Sequence, residues 1–239
     1  MFTSGSREVR VKSKVRVRVA LAGDALFCLF ITLAVLLGAS ARDVRHSPYY
    51  LTGYELLAAL WLGGAMRLFP FFGVSTRDDV IERRNRGAYW TIKGAMFGVA
   101  ACFAGANVGN GPGPEAVIFC AALASTGFFA VWFVLDWAGS HWADCITIDR
   151  DSGCGVRLGS LLLADGLAFG SAVTGDWISS GAAVRDFAVR IWPIIPILAL
   201  AVAGERRLRR ANVDRQGWLA ATVYTTLTVA CIAVERRMR

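Results

Sequence analysis

Charge is scarce in this chain. Only 18% of its 239 residues are Asp, Glu, Lys or Arg, against 55% hydrophobic, and the mean hydropathy is +0.48. So apolar a composition excludes an ordinary soluble domain and points to a polytopic membrane protein. The segments between apolar runs are too short to hold a separate soluble domain. Catalytic signatures are also missing: there is no nucleophile elbow, phosphate loop, paired-histidine metalloprotease motif or dinucleotide fingerprint. The glycine-rich run from Gly109 to Gly113 has no strand before it and no lysine after it, so it reads as a tight turn. None of the six cysteines belongs to a CxxC pair, and no disulfide framework is implied. Cys28, Cys102, Cys120 and Cys231 fall in or at the ends of apolar segments, where cysteine behaves as a small hydrophobe. Cys145 and Cys154 fall between segments, where a reducing cytosol would keep them as thiols.

What is present is a series of apolar runs. Crossing a bilayer takes about 20 mostly apolar residues per helix. Val19–Ala39, Tyr50–Met66, Ala88–Val108, Glu115–Trp137, Leu158–Ser179, Phe187–Gly204 and Trp218–Val234 meet that need, which predicts an all-α integral membrane protein of about seven transmembrane helices. The net charge of +8 would suit a nucleic-acid binder, but the basic residues flank the apolar runs. With the N-terminus inside, 18 of the 26 Lys and Arg fall in inner segments and 7 in outer ones, as the positive-inside rule requires. The expected orientation is N-in and C-out, with the bilayer as partner and no nucleic acid.

Four regions follow. Residues 1–18 form a basic cytosolic segment whose alternating valines and basic residues could make a strand, but which is expected to be a disordered anchor at anionic headgroups. Residues 19–48 hold the first helix and an outer loop. Ala39-Ser40-Ala41 after an apolar core fits a signal-peptide cleavage site, which would leave six spans, but the long basic region before it favours a retained helix. Residues 49–183 form a four-helix repeated domain, and residues 184–239 add two further spans. In the sixth span, Pro193 and Pro196 are expected to bend or break the helix.

The stretch Ile81–Asn107 organises the rest: an arginine-rich turn leads into an apolar helix with Gly87, Gly94, Gly98 and Gly105 on one side. Such small-residue stripes let neighbouring backbones approach closely. A related pattern recurs over Ile148–Asp176, where Gly159, Gly166 and Gly170 repeat the spacing of Gly87, Gly94 and Gly98 at an offset of 72, while Ile148-Asp149-Arg150 matches Ile81-Glu82-Arg83 at an offset of 67. The two hairpins share one in-out sense, so the repeat is parallel rather than inverted.

Ionisable residues inside spans cost about 2.5–3.5 kcal/mol on insertion scales and face protein or water. Lys93 and Asp165 each precede a glycine of the stripes, and the expectation is that they meet as an ion pair. Glu55, Asn107 and Asp176 lie towards the outer side as a candidate polar path. No metal or other cofactor is expected. His141, Cys145 and Cys154 are the residues best placed to share an ion, but their spacing matches no standard zinc module. Asp149 to Gly153 resembles the start of a calcium loop without its later acidic ligand, and reads instead as a turn and helix cap.

Residues 49–183 resemble the bacterial membrane family called domain of unknown function 350. The resemblance rests on RLFPFFGVSTRDDVIE and on the turn Glu82-Arg83-Arg84-Asn85-Arg86-Gly87-Ala88, which fits that family's acidic residue followed by Asn-x-Ala. In the second half Ser152-Gly153-Cys154-Gly155 stands where the asparagine and alanine would be. The resemblance implies four spans in two hairpins and carries no activity or catalytic residues. The expected role is a non-enzymatic scaffold or accessory protein of the bacterial cytoplasmic membrane, working as a homo-oligomer or with a membrane protein partner. The alternative is a small-solute or ion transporter.

Overall fold

The computed structural model describes residues 4–137, 141–192, 194–211 and 217–237, with side chains for those between 14 and 234 except 208–211. The described residues are helical apart from turns and an isolated parallel bridge between Ser40 and Gly109, with a 3-10 turn at Phe69–Phe72 and a π-helix at Thr76–Glu82 among the α-helices. The helices are α1 (Ser4–Ala39), α2 (Arg42–Arg45), α3 (Pro48–Leu68), α4 (Arg86–Ala106), α5 (Pro114–Leu135), α6 (Trp142–Thr147), α7 (Ser152–Ala172), α8 (Ser180–Arg190), α9 (Ile194–Ala211) and α10 (Gly217–Arg237). Four of them, α1, α3, α5 and α10, are long and apolar enough to cross a membrane, and a fifth crossing arises if α8 and α9, bent by 47°, count as one. This is the architecture of a helical integral membrane protein.

The central helices α4 and α7 are not among those four. Their glycines and alanines are less apolar than leucine, and they need no lipid-facing surface because most of their residues are buried by the other helices. The surrounding α1, α3 and α10 turn Phe27, Phe30, Leu56, Leu60 and Leu219 outward instead.

Residues 1–18 correct the expected disordered anchor: from Ser4 onward they continue α1 without a break. Extending an existing helix adds a hydrogen bond per residue and avoids the nucleation cost. Lys14 also reaches Glu82 in the turn before α4. That contact holds the exposed Glu82 carboxyl below its usual range. The prolines of the sixth span act near the expected place: α8 stops at Arg190 and Pro196 lies in the first turn of α9, while Pro193 falls outside the described residues.

α4 and α7 lie side by side and run in the same direction. A Cβ added at Gly155 would stand 2.1 Å from the Gly87 carbonyl oxygen, one at Gly94 1.9 Å from that of Gly159, and one at Gly105 2.0 Å from that of Gly170. Backbones this close leave room for no side chain and no water, so glycine is required on both sides. α1 runs parallel to this pair: Lys14 lies by Glu82, Asp24 by Lys93 and Phe27 by Phe97. α10 does likewise along α7, from Gly217 beside Gly153 to Cys231 near Ala168.

Local geometry recurs at an offset of 66, which corrects the offsets of 67 and 72. Arg84 and Arg150 both take left-handed backbone, at φ 53° and 57°. Asn85 and Asp151 both cap the helix that follows. Hydrogen bonds from Arg83 to Asp78 and from Asn85 to Asp79 recur as Asp149 to Asp144 and Asp151 to Cys145. Gly109 and Gly175 then turn at φ 120° and 133°. The glycine spacing misleads because it records where two helices touch, and side-by-side helices touch at staggered positions rather than at equivalent ones.

Candidate functional site

Four polar sites among the described residues bear on function. Lys93 and Asp165 do not meet, which corrects the expected ion pair. Lys93 Nζ lies 2.8 Å from Asp24 Oδ1 on α1, and the Tyr89 hydroxyl donates to Asp24 Oδ2 at 2.7 Å. The Trp90 ring centroid is 5.6 Å from the ammonium. Neighbouring positions on a helix point about 100° apart, so while Gly94 faces α7, Lys93 faces α1. The sequence reading missed Asp24; its signal was an acid inside the first apolar run. A double-mutant cycle on Asp24→Asn and Lys93→Met, read by thermal unfolding in detergent, is expected to give a coupling of about 1 kcal/mol. The same cycle between Lys93 and Asp165 is expected to be additive.

Asp165 is fully buried within the α4/α7 seam. Among the described residues neither carboxyl oxygen has a partner. Cys102 lies close by, with its thiol 3.7 Å from the Gly166 carbonyl.

Near the start of α7, Arg157 and Glu205 form a second pair that sequence reasoning missed. Nε to Oε2 is 2.7 Å and Nη2 to Oε1 is 3.0 Å, with the side chains 3% and 1% exposed. Arg157 looked like one more cytosolic arginine, because composition near a helix end does not reveal that a distant helix covers it. Beside it, the Sγ atoms of Cys145 and Cys154 and a carboxylate oxygen of Asp151 lie within 4.8 Å of one another. His141 is not in this group, so of the three residues best placed by sequence to share an ion, only Cys145 and Cys154 come together. His141 takes left-handed backbone just before α6, and its side chain, 70% exposed, lies 3.9 Å from Asp144. Asp151 caps α7, as the turn-and-cap reading expects, accepting from the Gly153 amide at 2.7 Å.

At the opposite end of the seam is a cavity of about 250 Å³. Asn107 and Asp176 line it, whereas Glu55 does not, which corrects the polar path of Glu55, Asn107 and Asp176. Glu55 sits on the α3 face that meets α1, where the Thr32 hydroxyl lies 3.3 Å from its carboxylate. The cavity floor is stitched across the repeats: Gly175 donates to the Val108 carbonyl at 2.9 Å, Trp177 to that of Asn110 at 2.8 Å, and the Asn110 amide to Asp176 Oδ1 at 2.7 Å.

No family model, curated protein or solved structure matches this chain. The functional reading therefore rests on the α4/α7 seam and on these polar sites.

Proposed function

We propose that the chain is a multi-pass scaffold or accessory protein of a bacterial cytoplasmic membrane, non-enzymatic, and assembled with a second copy or another membrane protein. The observation that carries this reading is the α4/α7 seam, whose backbones meet too closely for water at Gly94/Gly159 and Gly105/Gly170. A rigid closed centre of this kind suits a framework better than a moving transporter. Seven crossings with N-in and C-out orientation follow if α4 and α7 join the apolar helices and α8/α9 cross together. The parallel directions of α1, α4, α7 and α10 support that count, because they are its odd-numbered spans. The recurrence at 66 residues supports two parallel hairpins and, with the turn at Glu82–Ala88, kinship with the domain of unknown function 350 family. The seam glycines are consumed within one chain. Contacts with a partner therefore fall on outer faces such as that of α3, where Gly53, Gly63 and Gly64 have open space beside them.

A second reading, transport of an ion or small solute, is favoured by Asp165, whose carboxyl has no partner among the described residues. A bare buried acid adds nothing to a framework and marks a functional position by default. Native mass measurement from mild detergent, combined with uptake into proteoliposomes, separates the two. A stoichiometric complex without flux is expected. A lone chain whose flux disappears with Asp165→Asn would replace the scaffold by the transporter. The same mass is expected to retain residues 1–41, since α1 supplies Asp24 to Lys93.

A further inference from the structure

The turn before α7 differs in chemistry from its equivalent before α4. At the offset of 66, Cys145, Asp151 and Cys154 stand where the first turn has Asp79, Asn85 and Ala88. In the first turn the Asp79 carboxylate accepts from the Ser75 amide at 2.8 Å and from Arg83 at 3.1 Å, while Asn85 Nδ2 reaches across to α6 and donates to the Ile146 carbonyl at 2.6 Å. The second turn has a thiol in place of that carboxylate and a second thiol in place of a methyl group.

We propose that Cys145, Asp151 and Cys154 bind a borderline-soft divalent cation, zinc above all. Cys145 and Cys154 are buried, at 7% and 0% exposure, and their sulfurs lie within 4.8 Å of each other. The Asp151 side chain is 25% exposed and gives the ion a way in. Its Oδ1 is committed to capping α7, while Oδ2 lies 3.7 Å from Cys145 Sγ. Donors about 2.3 Å from a tetrahedral ion lie about 3.7 Å apart, so this edge of the site already has the required length. Two sulfurs and one oxygen select zinc over magnesium or calcium, which prefer all-oxygen sites. Binding exchanges the two thiol protons, released to solvent, for the metal. Two thiolates and a carboxylate around a divalent ion leave one negative charge, and Arg157 Nη2 stands 3.6 Å from Asp151 Oδ2 to offset it. Glu205 is engaged by Arg157 and is not a donor. Three protein ligands leave the fourth position to solvent. The bound ion would fasten α6 to the first turn of α7, as hydrogen bonds fasten the equivalent turn of the first repeat. This holds whether the protein is a scaffold or a transporter.

The test is cobalt titration of the full chain in detergent after chelation, followed by absorbance. One equivalent of Co²⁺ is expected to give intense thiolate-to-cobalt charge transfer in the near ultraviolet, displaced by zinc. Cys145→Ser/Cys154→Ser should abolish the band. Asp151→Asn keeps a helix-capping side chain but loses the charged oxygen, so it should weaken binding by about 10-fold or more. Zinc should also protect two thiols from alkylation while leaving Cys231 as reactive as before. Absence of the charge-transfer band, its survival in the double serine variant, or unchanged affinity in Asp151→Asn would each overturn the site. If the double variant fails to fold, the Asp151→Asn and alkylation measurements decide.

Discussion

Replacing Gly94 by valine is expected to cost this protein its fold. Even the first atom of the new side chain would stand 1.9 Å from the Gly159 carbonyl oxygen and 2.5 Å from the Gly159 Cα. Both obstacles are backbone, so no rotamer change relieves them, and α4 and α7 must separate. Overpacking in a core that can adjust costs about 1–3 kcal/mol, so an obstacle fixed in the main chain should reach at least the top of that range. The measurement is thermal unfolding in detergent with yield of monodisperse protein as a second readout. Gly105→Val, whose Cβ would lie 2.0 Å from the Gly170 carbonyl oxygen, should behave alike. Gly38→Val and Gly181→Val are the controls: nothing lies within 4 Å of either added Cβ, and both variants should melt within about 0.5 kcal/mol of the parent. If Gly94→Val folded normally, the backbone seam itself would be wrong.

Removing one partner of Arg157–Glu205 is expected to have the second large effect. Both side chains are almost completely enclosed, and the guanidinium meets the carboxylate through two parallel hydrogen bonds at 2.7 and 3.0 Å. Arg157→Met or Glu205→Met leaves an uncompensated buried charge, which costs about 3–5 kcal/mol. Replacing both by methionine should recover most of that loss, because two well-packed apolar side chains need no desolvation of charge. The double-mutant cycle therefore reads a large favourable coupling, and additivity would show that the pair is not formed. The consequence is architectural: Glu205 belongs to α9 and Arg157 to α7, so the pair ties the bent C-terminal segment to the central seam.

The positions of the other charges show how far the chain could be read in one dimension. Asn85 and Asp151 cap α4 and α7 as their residue types dictate, and the breaks at the glycine-rich loop and around Pro196 fall where turn chemistry puts them. Lys93 was legible as a cation within an apolar helix but not as the partner of Asp24, since a single residue does not state which way its helix is rotated. Arg157 looked peripheral because the helix that supplies its partner Glu205 lies far along the chain.

By itself, then, the sequence determined the helical class, the apolar segments, the caps and the small-residue stripes, all of which depend on composition and on contacts between near neighbours. Only the tertiary structure decided that the two halves correspond at an offset of 66, that Lys93 turns to α1 and away from the buried Asp165, and that two thiols and a carboxylate converge at the start of α7. The physical reason is rotational. A helix places successive residues about 100° apart, and its rotation about its axis is fixed by the summed packing of every neighbour rather than by any local pattern.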